Sequence, residues 1–258
     1  MKTLSIAAAS IAAFVLTLEA PAARAATVPD TSAPSVVIVH GAFADGSDWS
    51  RVIPLLQAKG VHVTAVQNPL TSLEDDVQAT QRAIALQSGK VVLVGHSWGG
   101  TVITQAGTES KVAALVYVAA FAPDAGQTTA ELGKPYPPPP GLAFLSADAS
   151  GFLSLSPEGM RRHFAQDLPA ARTATMTATQ GPIRASAFEQ AVSQAAWKSK
   201  PSWYVLTEAD HMIPPAQQRD MAQRIGARVT ALPTSHVPQQ AKPQQVADVI
   251  LDAVRQSR

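Results

Sequence analysis

Ser97 is the residue of this chain whose surroundings best suit covalent chemistry. It lies in VVLVGHSWGG, residues 91–100, between Gly95 and Gly99. The four aliphatic residues predict a buried strand, and the small residues that follow permit a sharp turn into a helix. A glycine-x-serine-x-glycine pattern in this context is typical of a turn that presents a nucleophilic serine hydroxyl. The alternative is a glycine-rich turn that contains a serine by chance.

A serine hydroxyl at neutral pH needs a base that accepts its proton. The chain contains six histidines. His236, in LPTSHVPQQ, follows the last predicted strand and is the leading candidate for this base. His211 is the competing candidate, and His96 is expected to pack beside the serine rather than to react.

A carboxylate is also needed to orient the base. Asp210, in TEADHMIPP, follows a predicted strand and is the leading candidate. Glu208 and Asp124 remain alternatives. Along the chain, Ser97 comes first, Asp210 second and His236 third. This order of nucleophile, acid and base is the one expected when the serine lies on a turn between a strand and a helix.

Acyl transfer also requires hydrogen-bond donors for a developing oxyanion. The backbone N–H of Trp98 is one expected donor because this residue follows the candidate nucleophile. The loop HGAFADGSDW, after the first predicted strand, should supply the other, from Ala42 or Phe43. Gly41 would allow this loop to approach the serine closely.

The elements that position these residues alternate between strands and helices. Apolar runs predict strands at residues 36–40, 61–66, 91–95, 113–120, 202–206 and 227–232. Helical patterns cover residues 47–60, 72–89, 101–110, 214–226 and 242–256. This alternation predicts an α/β fold with a mostly parallel sheet of about six strands and helices on both faces.

One region interrupts the alternation and is predicted to form a cap or lid at about residues 122–200. It contains KPYPPPPGLAFL, which fits neither a helix nor a central strand, and two short helical patterns at 156–168 and 171–180. Its apolar residues argue against a disordered linker. Phe164 and Met176 from this region, with Phe43, are the candidate residues of a substrate pocket.

Composition restricts the class of protein and its partners. The chain has 258 residues, 46% of them hydrophobic and 15% charged, a formal net charge of +1 and no cysteine. Near-neutral charge disfavours nucleic acid as a partner, and the lack of cysteine excludes disulfides and thiolate metal sites. These numbers leave the oligomeric state open.

The first 25 residues resemble a signal peptide, with a basic start, an apolar stretch and an Ala-Arg-Ala pattern. Cleavage is expected after Ala25 or Ala26. The chain from residue 26 to 258 would then be a single periplasmic or secreted domain without a membrane anchor.

Four segments carry a resemblance to a known family: HGAFADGSDW, GHSWGG, TEADHMIPPAQQRDMAQRIGA and SHVPQQAKPQQVADVI. The chain is similar to the α/β-hydrolase superfamily, above all to its small cofactor-free branch of bacterial esterases, plant methylesterases, salicylate-binding relatives and hydroxynitrile lyases. The resemblance implies Ser97 as nucleophile, His236 as base, Asp210 as acid, and backbone donors at Ala42 and Trp98. It also implies a cap after the strand that ends near residue 120.

The resemblance and the residues together predict a serine hydrolase that cleaves carboxylic esters of small to medium apolar substrates, without a cofactor or metal. Val237 stands where the hydroxynitrile lyases of this branch have a lysine, which disfavours cyanohydrin cleavage. Lactones, carbon–carbon bonds or amides are alternative substrates for the same triad. A further alternative is a protein that binds a small ligand on this fold with little turnover.

Overall fold

A computed structural model describes residues 34–257. Its strands are β1 (Ser35–Val39), β2 (Val63–Val66), β3 (Val91–His96), β4 (Val112–Val118), β5 (Leu145–Ala147), β6 (Phe152–Leu155), β7 (Ile183–Arg184), β8 (Ser202–Thr207) and β9 (Arg228–Leu232). Six of them form one sheet in the order β2-β1-β3-β4-β8-β9, and every neighbouring pair in it is parallel. The predicted signal peptide, residues 1–25, and its cleavage site lie outside the described residues.

The described helices cover both faces of this sheet or lie in the segment between β4 and β8. They are α1 (Ile53–Gln57), α2 (Leu73–Ala85), α3 (Trp98–Ala106), α4 (Thr129–Gly133), α5 (Pro157–Gly159), α6 (Ala170–Thr179), α7 (Pro215–Arg224), α8 (Pro238–Ala241) and α9 (Pro243–Gln256). Alternate residues of β1 point to opposite cores: Val36 and Ile38 pack with α1 and α9, whereas Val37 and Val39 pack with α2, α3 and α7. The two cores explain why these strands are apolar on both faces.

The predicted α/β fold and the six predicted strands of the main sheet are confirmed, and the strand ends differ from prediction by two residues at most. The prediction of one long helix at residues 47–60 was wrong. A 3-10 turn, Gly46–Trp49, and the short helix α1 replace it. Pro54 explains the break, because proline lacks a donor and fits only the first turn of a helix.

Residues 122–200 lie between β4 and β8 and include α4, α5 and α6. Strands β5, β6 and β7 form a small antiparallel sheet there, which the sequence did not predict. The helix expected at 156–168 is only three residues of α5 followed by a π-helical turn, Met160–Phe164. We refer to this region as the cap.

Candidate active site

The turn between β3 and α3 holds Ser97 in a strained backbone conformation. Its φ and ψ angles are 52° and −120°, and such outliers cost a non-glycine residue about 1–3 kcal/mol. A Cβ atom on Gly95 would lie 2.5 Å from the carbonyl oxygen of Gly99, and one on Gly99 would lie 2.4 Å from that of Val39. Both positions therefore require glycine, and the backbones they bring together make the sharp turn possible.

His236 and Asp210 lie on separate loops, after β9 and β8, and meet in the protein interior. The His236 Nδ1–H group donates to Asp210 Oδ2 at 2.8 Å, and both side chains are buried. Because Nδ1 carries the proton of the neutral ring, Nε2 is the nitrogen that can accept one. His236 and Ser97 line the same cavity. The arrangement can therefore remove a proton from a nucleophile in that cavity.

Asp210 is held as a carboxylate by its other neighbours. Four further donors bind its two oxygens at 2.7 to 3.0 Å: the backbone N–H groups of Met212 and Ile213 and the side chains of Thr207 and Gln218. Burial by itself would raise the pKa of Asp210, but His236 and the backbone donors outweigh burial and lower this pKa below its ordinary value. The charge that orients the imidazole is thus fixed.

His96, the last residue of β3, supports His236. Its Nε2–H group donates to the carbonyl oxygen of His236 at 2.8 Å, and the two rings lie 4.8 Å apart. Phe164 of the cap contacts the His236 imidazole edge-on, and the centres of these two rings lie 5.0 Å apart. Burial lowers the pKa of His96 to about 3, so this ring remains neutral. The sequence predicted that His96 packs rather than reacts but gave no signal of its contact with His236.

The loop after β1 lies beside Ser97. This is the position from which a backbone N–H of the loop could serve as the second expected donor to the oxyanion. A Cβ atom on Gly41 would lie 2.8 Å from Ser97 Cβ, so glycine permits this approach. Ala42 and Phe43 both line the cavity that contains Ser97. His40 fixes the loop because its Nδ1–H donates to the Gly41 carbonyl at 2.8 Å and its Nε2 accepts from a neighbouring backbone N–H at 2.9 Å.

Trp98 provides the first N–H group of α3, which has no partner within the helix and lies at the positive end of the helix dipole. Its indole N–H donates to Asp76 Oδ2 at 2.7 Å. The other carboxylate oxygen of Asp76 accepts from the Leu70 N–H at 2.8 Å, and burial raises the pKa of Asp76 to about 6. Sequence reasoning missed this support, although Asp76 falls on the apolar side of an amphipathic helix, where a carboxylate is unusual.

A cavity of about 580 Å³ separates the serine from the cap. Most of its walls are apolar side chains from both parts of the molecule: Phe43, Phe121, Leu142, Leu145, Leu153, Phe164, Phe188, Met212 and Ile213. Phe43 and Phe164 were among the residues predicted for a pocket, whereas Met176 faces a separate small cleft beside Arg172. The volume falls within the range of small-molecule sites, so an apolar ligand of moderate size fits beside Ser97.

The alternative acids and base lie away from this constellation. Glu208 is exposed, and Asp124 forms an ion pair with Lys198 at 2.5 Å. The His211 ring is half-buried and its Nδ1 lies 3.3 Å from Nδ1 of His163, in the cap. The structure therefore brings His236, rather than His211, together with a buried carboxylate.

Within residues 34–257, no group of three or more histidine, cysteine or acidic side chains is arranged to hold a metal ion. No helix of the same part of the chain is both long and apolar enough to cross a membrane.

The sequence profile of the alpha/beta hydrolase family matches residues 36–249. A pyrethroid hydrolase of Sphingobium wenxiniae is 26% identical to this chain, over 84% of the chain and 86% of that protein. Methylesterase 2 of Arabidopsis thaliana is 27% identical, over 83% of the chain and 94% of that protein.

The crystal structure of polyneuridine aldehyde esterase has the same fold. It superposes with a TM-score of 0.74 at 20% identity and covers 86% of this chain and 99% of that protein. At this identity the similarity concerns the fold alone.

Proposed function

We propose that this chain, which belongs to the alpha/beta hydrolase family, is a serine hydrolase that cleaves carboxylic esters of small to medium apolar substrates. One observation carries the proposal: a strained Ser97 and His236, which is hydrogen-bonded to the buried Asp210, border one largely apolar cavity. The relatives named pyrethroid hydrolase and methylesterase support an ester as the substrate.

The first half of the reaction forms an acyl-enzyme. Ser97 Oγ attacks the ester carbonyl carbon while His236 Nε2 takes the hydroxyl proton, and Asp210 stabilises the resulting imidazolium. The N–H groups of Ala42 and Trp98 bind the oxyanion, a contribution of about 3–4 kcal/mol for each such donor. His236 then gives its proton to the alkoxy oxygen, the carbon–oxygen bond breaks and the alcohol leaves.

The second half releases the acid. Water gives one proton to His236 Nε2 as its oxygen attacks the acyl carbon. The tetrahedral intermediate collapses, the bond to Ser97 Oγ breaks, and the imidazolium returns the proton to the serine. Each turnover consumes one water and yields one alcohol and one acid, without a redox step or a cofactor.

The cavity indicates which esters are favoured. Aromatic and aliphatic side chains form most of its walls, and among the residues that border it Lys134 is the one with a permanently charged side chain. Apolar acyl or alcohol groups gain about 25 cal/mol for each Å² of apolar surface they bury. We therefore expect apolar esters to be cleaved faster than charged ones.

A series of p-nitrophenyl esters from acetate to octanoate tests the proposed reaction. The wild type should hydrolyse them, and Ser97→Ala should lower kcat at least about 10⁴-fold. Ser110→Ala is the matched control because Ser110 is exposed in the turn after α3. Equal turnover by wild type and Ser97→Ala would overturn the proposal.

We also propose that the protein is exported and acts in the periplasm or outside the cell. The basic, apolar and small-residue segments within residues 1–25 support this location. Expression of the full chain in a Gram-negative host tests it, since the exported protein should begin at residue 26 or 27. Protein found only in the cytoplasm with an intact N-terminus would contradict it.

A further inference from the structure

One continuous segment of the cap, residues 166–172, forms hydrogen bonds to both loops that carry the candidate acid and base. We call this segment the brace. The Gln166 side-chain amide donates to the carbonyl oxygen of Ala209 at 2.6 Å, directly before Asp210. Asp167 accepts two hydrogen bonds from Ser235, directly before His236. The brace thus contacts both the loop that carries Asp210, which we call the acid loop, and the loop that carries His236, which we call the base loop.

The contact between Asp167 and Ser235 fixes both the backbone and the side chain of Ser235. Asp167 Oδ2 accepts from the Ser235 N–H at 2.9 Å, and Oδ1 accepts from the Ser235 hydroxyl at 2.6 Å. Ser235 is fully buried, and Asp167 accepts from both of its donors, the backbone N–H and the hydroxyl. Hydrogen bonds to a carboxylate are stronger than those between neutral groups, and this pair restrains the chain one residue before the imidazole.

Arg172 holds the other end of the same loop. Its guanidinium donates from Nε and Nη2 to Gln240 Oε1 at 3.0 and 2.8 Å. The Gln240 side-chain amide in turn donates to Asp48 Oδ1 at 3.1 Å and to the Asp48 carbonyl oxygen. The segment from 235 to 240, which includes His236, is therefore held on both sides by residues of the brace.

We propose that Asp167 is a positioning residue for the proposed ester hydrolysis: the brace sets the place of the His236 imidazole through Ser235. The inference rests on the proposed function. Asp167 does not border the substrate cavity, so it acts through the base loop and not on the substrate.

Asp167→Ala tests this role by removing both acceptors of Ser235. We expect kcat for p-nitrophenyl butyrate to fall about 10- to 100-fold, the loss typical of a misplaced catalytic group, with KM within about twofold. Glu158→Gln is the matched control, because Glu158 also lies in the cap but pairs with Arg162 in solvent. Asp167→Asn should recover most of kcat, since its amide can accept from the Ser235 N–H and donate to the hydroxyl.

Ser235→Ala completes the test because it weakens the same contact from the other partner, by removing the hydroxyl that donates to Asp167. It should lower kcat less than Asp167→Ala, and the double variant should be no slower than Asp167→Ala alone, because both changes remove one interaction. Should Asp167→Ala fail to fold, an unchanged kcat in Ser235→Ala would overturn the inference. Wild-type kcat in folded Asp167→Ala, additive losses in the double variant, or a loss confined to KM would also overturn it.

The outcomes separate this inference from the proposed function. No esterase activity in the wild type would remove the proposed function and the inference together. Full activity in the wild type and equal kcat in Asp167→Ala and Glu158→Gln would remove the inference alone.

Discussion

At the scale of single residues, the environment of Asp210 suits this residue to the role of acid in the proposed hydrolysis. Five donors, including His236, converge on its two carboxylate oxygens. Its lowered pKa keeps the charge in place, and the charge selects the imidazole tautomer whose Nε2 can accept a proton. Loss of this charge should therefore affect the chemical step more than substrate binding.

Asp210→Asn should lower kcat by about 10⁴-fold, because an amide group can hold the imidazole in the wrong tautomer. KM should change little, since Asp210 does not border the cavity. Steady-state kinetics with a p-nitrophenyl ester measure both constants. Glu208→Gln, only two residues away and exposed, is the control and should keep wild-type kcat; the reverse pattern would reassign the acid.

His96 should make stability depend on pH. Its pKa is about 3 in the folded protein and about 6.5 in an unfolded chain, so the unfolded state binds more protons between these values. The stabilisation is therefore fully present above about pH 6.5 and is lost as the pH falls towards about 3. By linkage, about 2 kcal/mol should disappear between pH 7 and pH 5.

Urea denaturation of wild type and His96→Gln at both pH values measures this effect. The glutamine amide can still donate to the His236 carbonyl but does not titrate. The variant should thus lose less free energy of unfolding than the wild type on acidification. Buried carboxylates with raised pKa values, such as Asp48 and Asp76, oppose the trend equally in both proteins, so an identical pH dependence would contradict the account of His96.

The sequence predicts which residues meet in the candidate site when each of them lies on a loop directly after a strand. Ser97, Asp210 and His236 each follow a strand of a parallel sheet, and such strands place their carboxyl ends at one edge. The contact of His96 with His236 joins residues 140 positions apart, and no local pattern encodes such a pairing. The bond from Trp98 to Asp76 likewise depends on how α2 packs on α3.

At the scale of elements, close packing of the first strand against the start of α3 fixes the turn that holds Ser97. Gly99 lies in the first turn of this helix, where alanine would ordinarily improve helix propensity by about 1 kcal/mol. Here an alanine Cβ would lie 2.4 Å from the Val39 carbonyl oxygen and 2.9 Å from that of His40. Because of this steric overlap, replacing Gly99 with alanine should destabilise the protein, whereas the same change at an ordinary helix position would stabilise it.

Gly99→Ala should lower the free energy of unfolding by about 1–3 kcal/mol, as overpacked sites do, and should also reduce kcat because the turn must shift. Denaturant unfolding and ester hydrolysis test the two effects together. Gly89→Ala serves as the control, since a Cβ there meets no atom within 4 Å. A Gly99→Ala variant as stable and active as this control would contradict the packing argument.

Elements of the main sheet were predictable, whereas those of the cap were not. Strands such as β3 begin with consecutive buried aliphatic residues, and their short length, their valines and the glycine that follows distinguish them from a buried helix. In the cap, β5 has three residues and β7 has two, too few to display an alternating pattern. The turn at Met160–Phe164 resembles an ordinary helix in sequence, because the same residues support both helical forms.

At the scale of the whole molecule, the cap and the main domain together form the cavity beside Ser97, which is the proposed substrate site. Leu153 belongs to β6 of the cap, whereas Ala42 and Ser97 belong to loops of the main domain, and all three border the same space. The size of the acyl or alcohol group accepted should therefore depend on residues far from the triad in sequence.

Leu153→Trp should lower kcat/KM for p-nitrophenyl octanoate at least about tenfold, because the larger side chain occupies part of the cavity. The rate with the acetate ester should stay within about twofold. Leu86→Trp is the matched control because Leu86 is 83% exposed at the end of α2. Equal losses for both esters in Leu153→Trp would show that the cavity does not select by size.

Covalent capture of Ser97 during turnover tests the central claim most directly. The wild type would be treated with a fluorophosphonate and analysed by intact-mass and peptide mass spectrometry, with ester hydrolysis measured on the same sample. The account predicts one label per chain, located on Ser97, with activity lost in proportion to labelling and no label in Ser97→Ala. Persistent hydrolysis with Ser97 unlabelled, or a label on another residue, would contradict it.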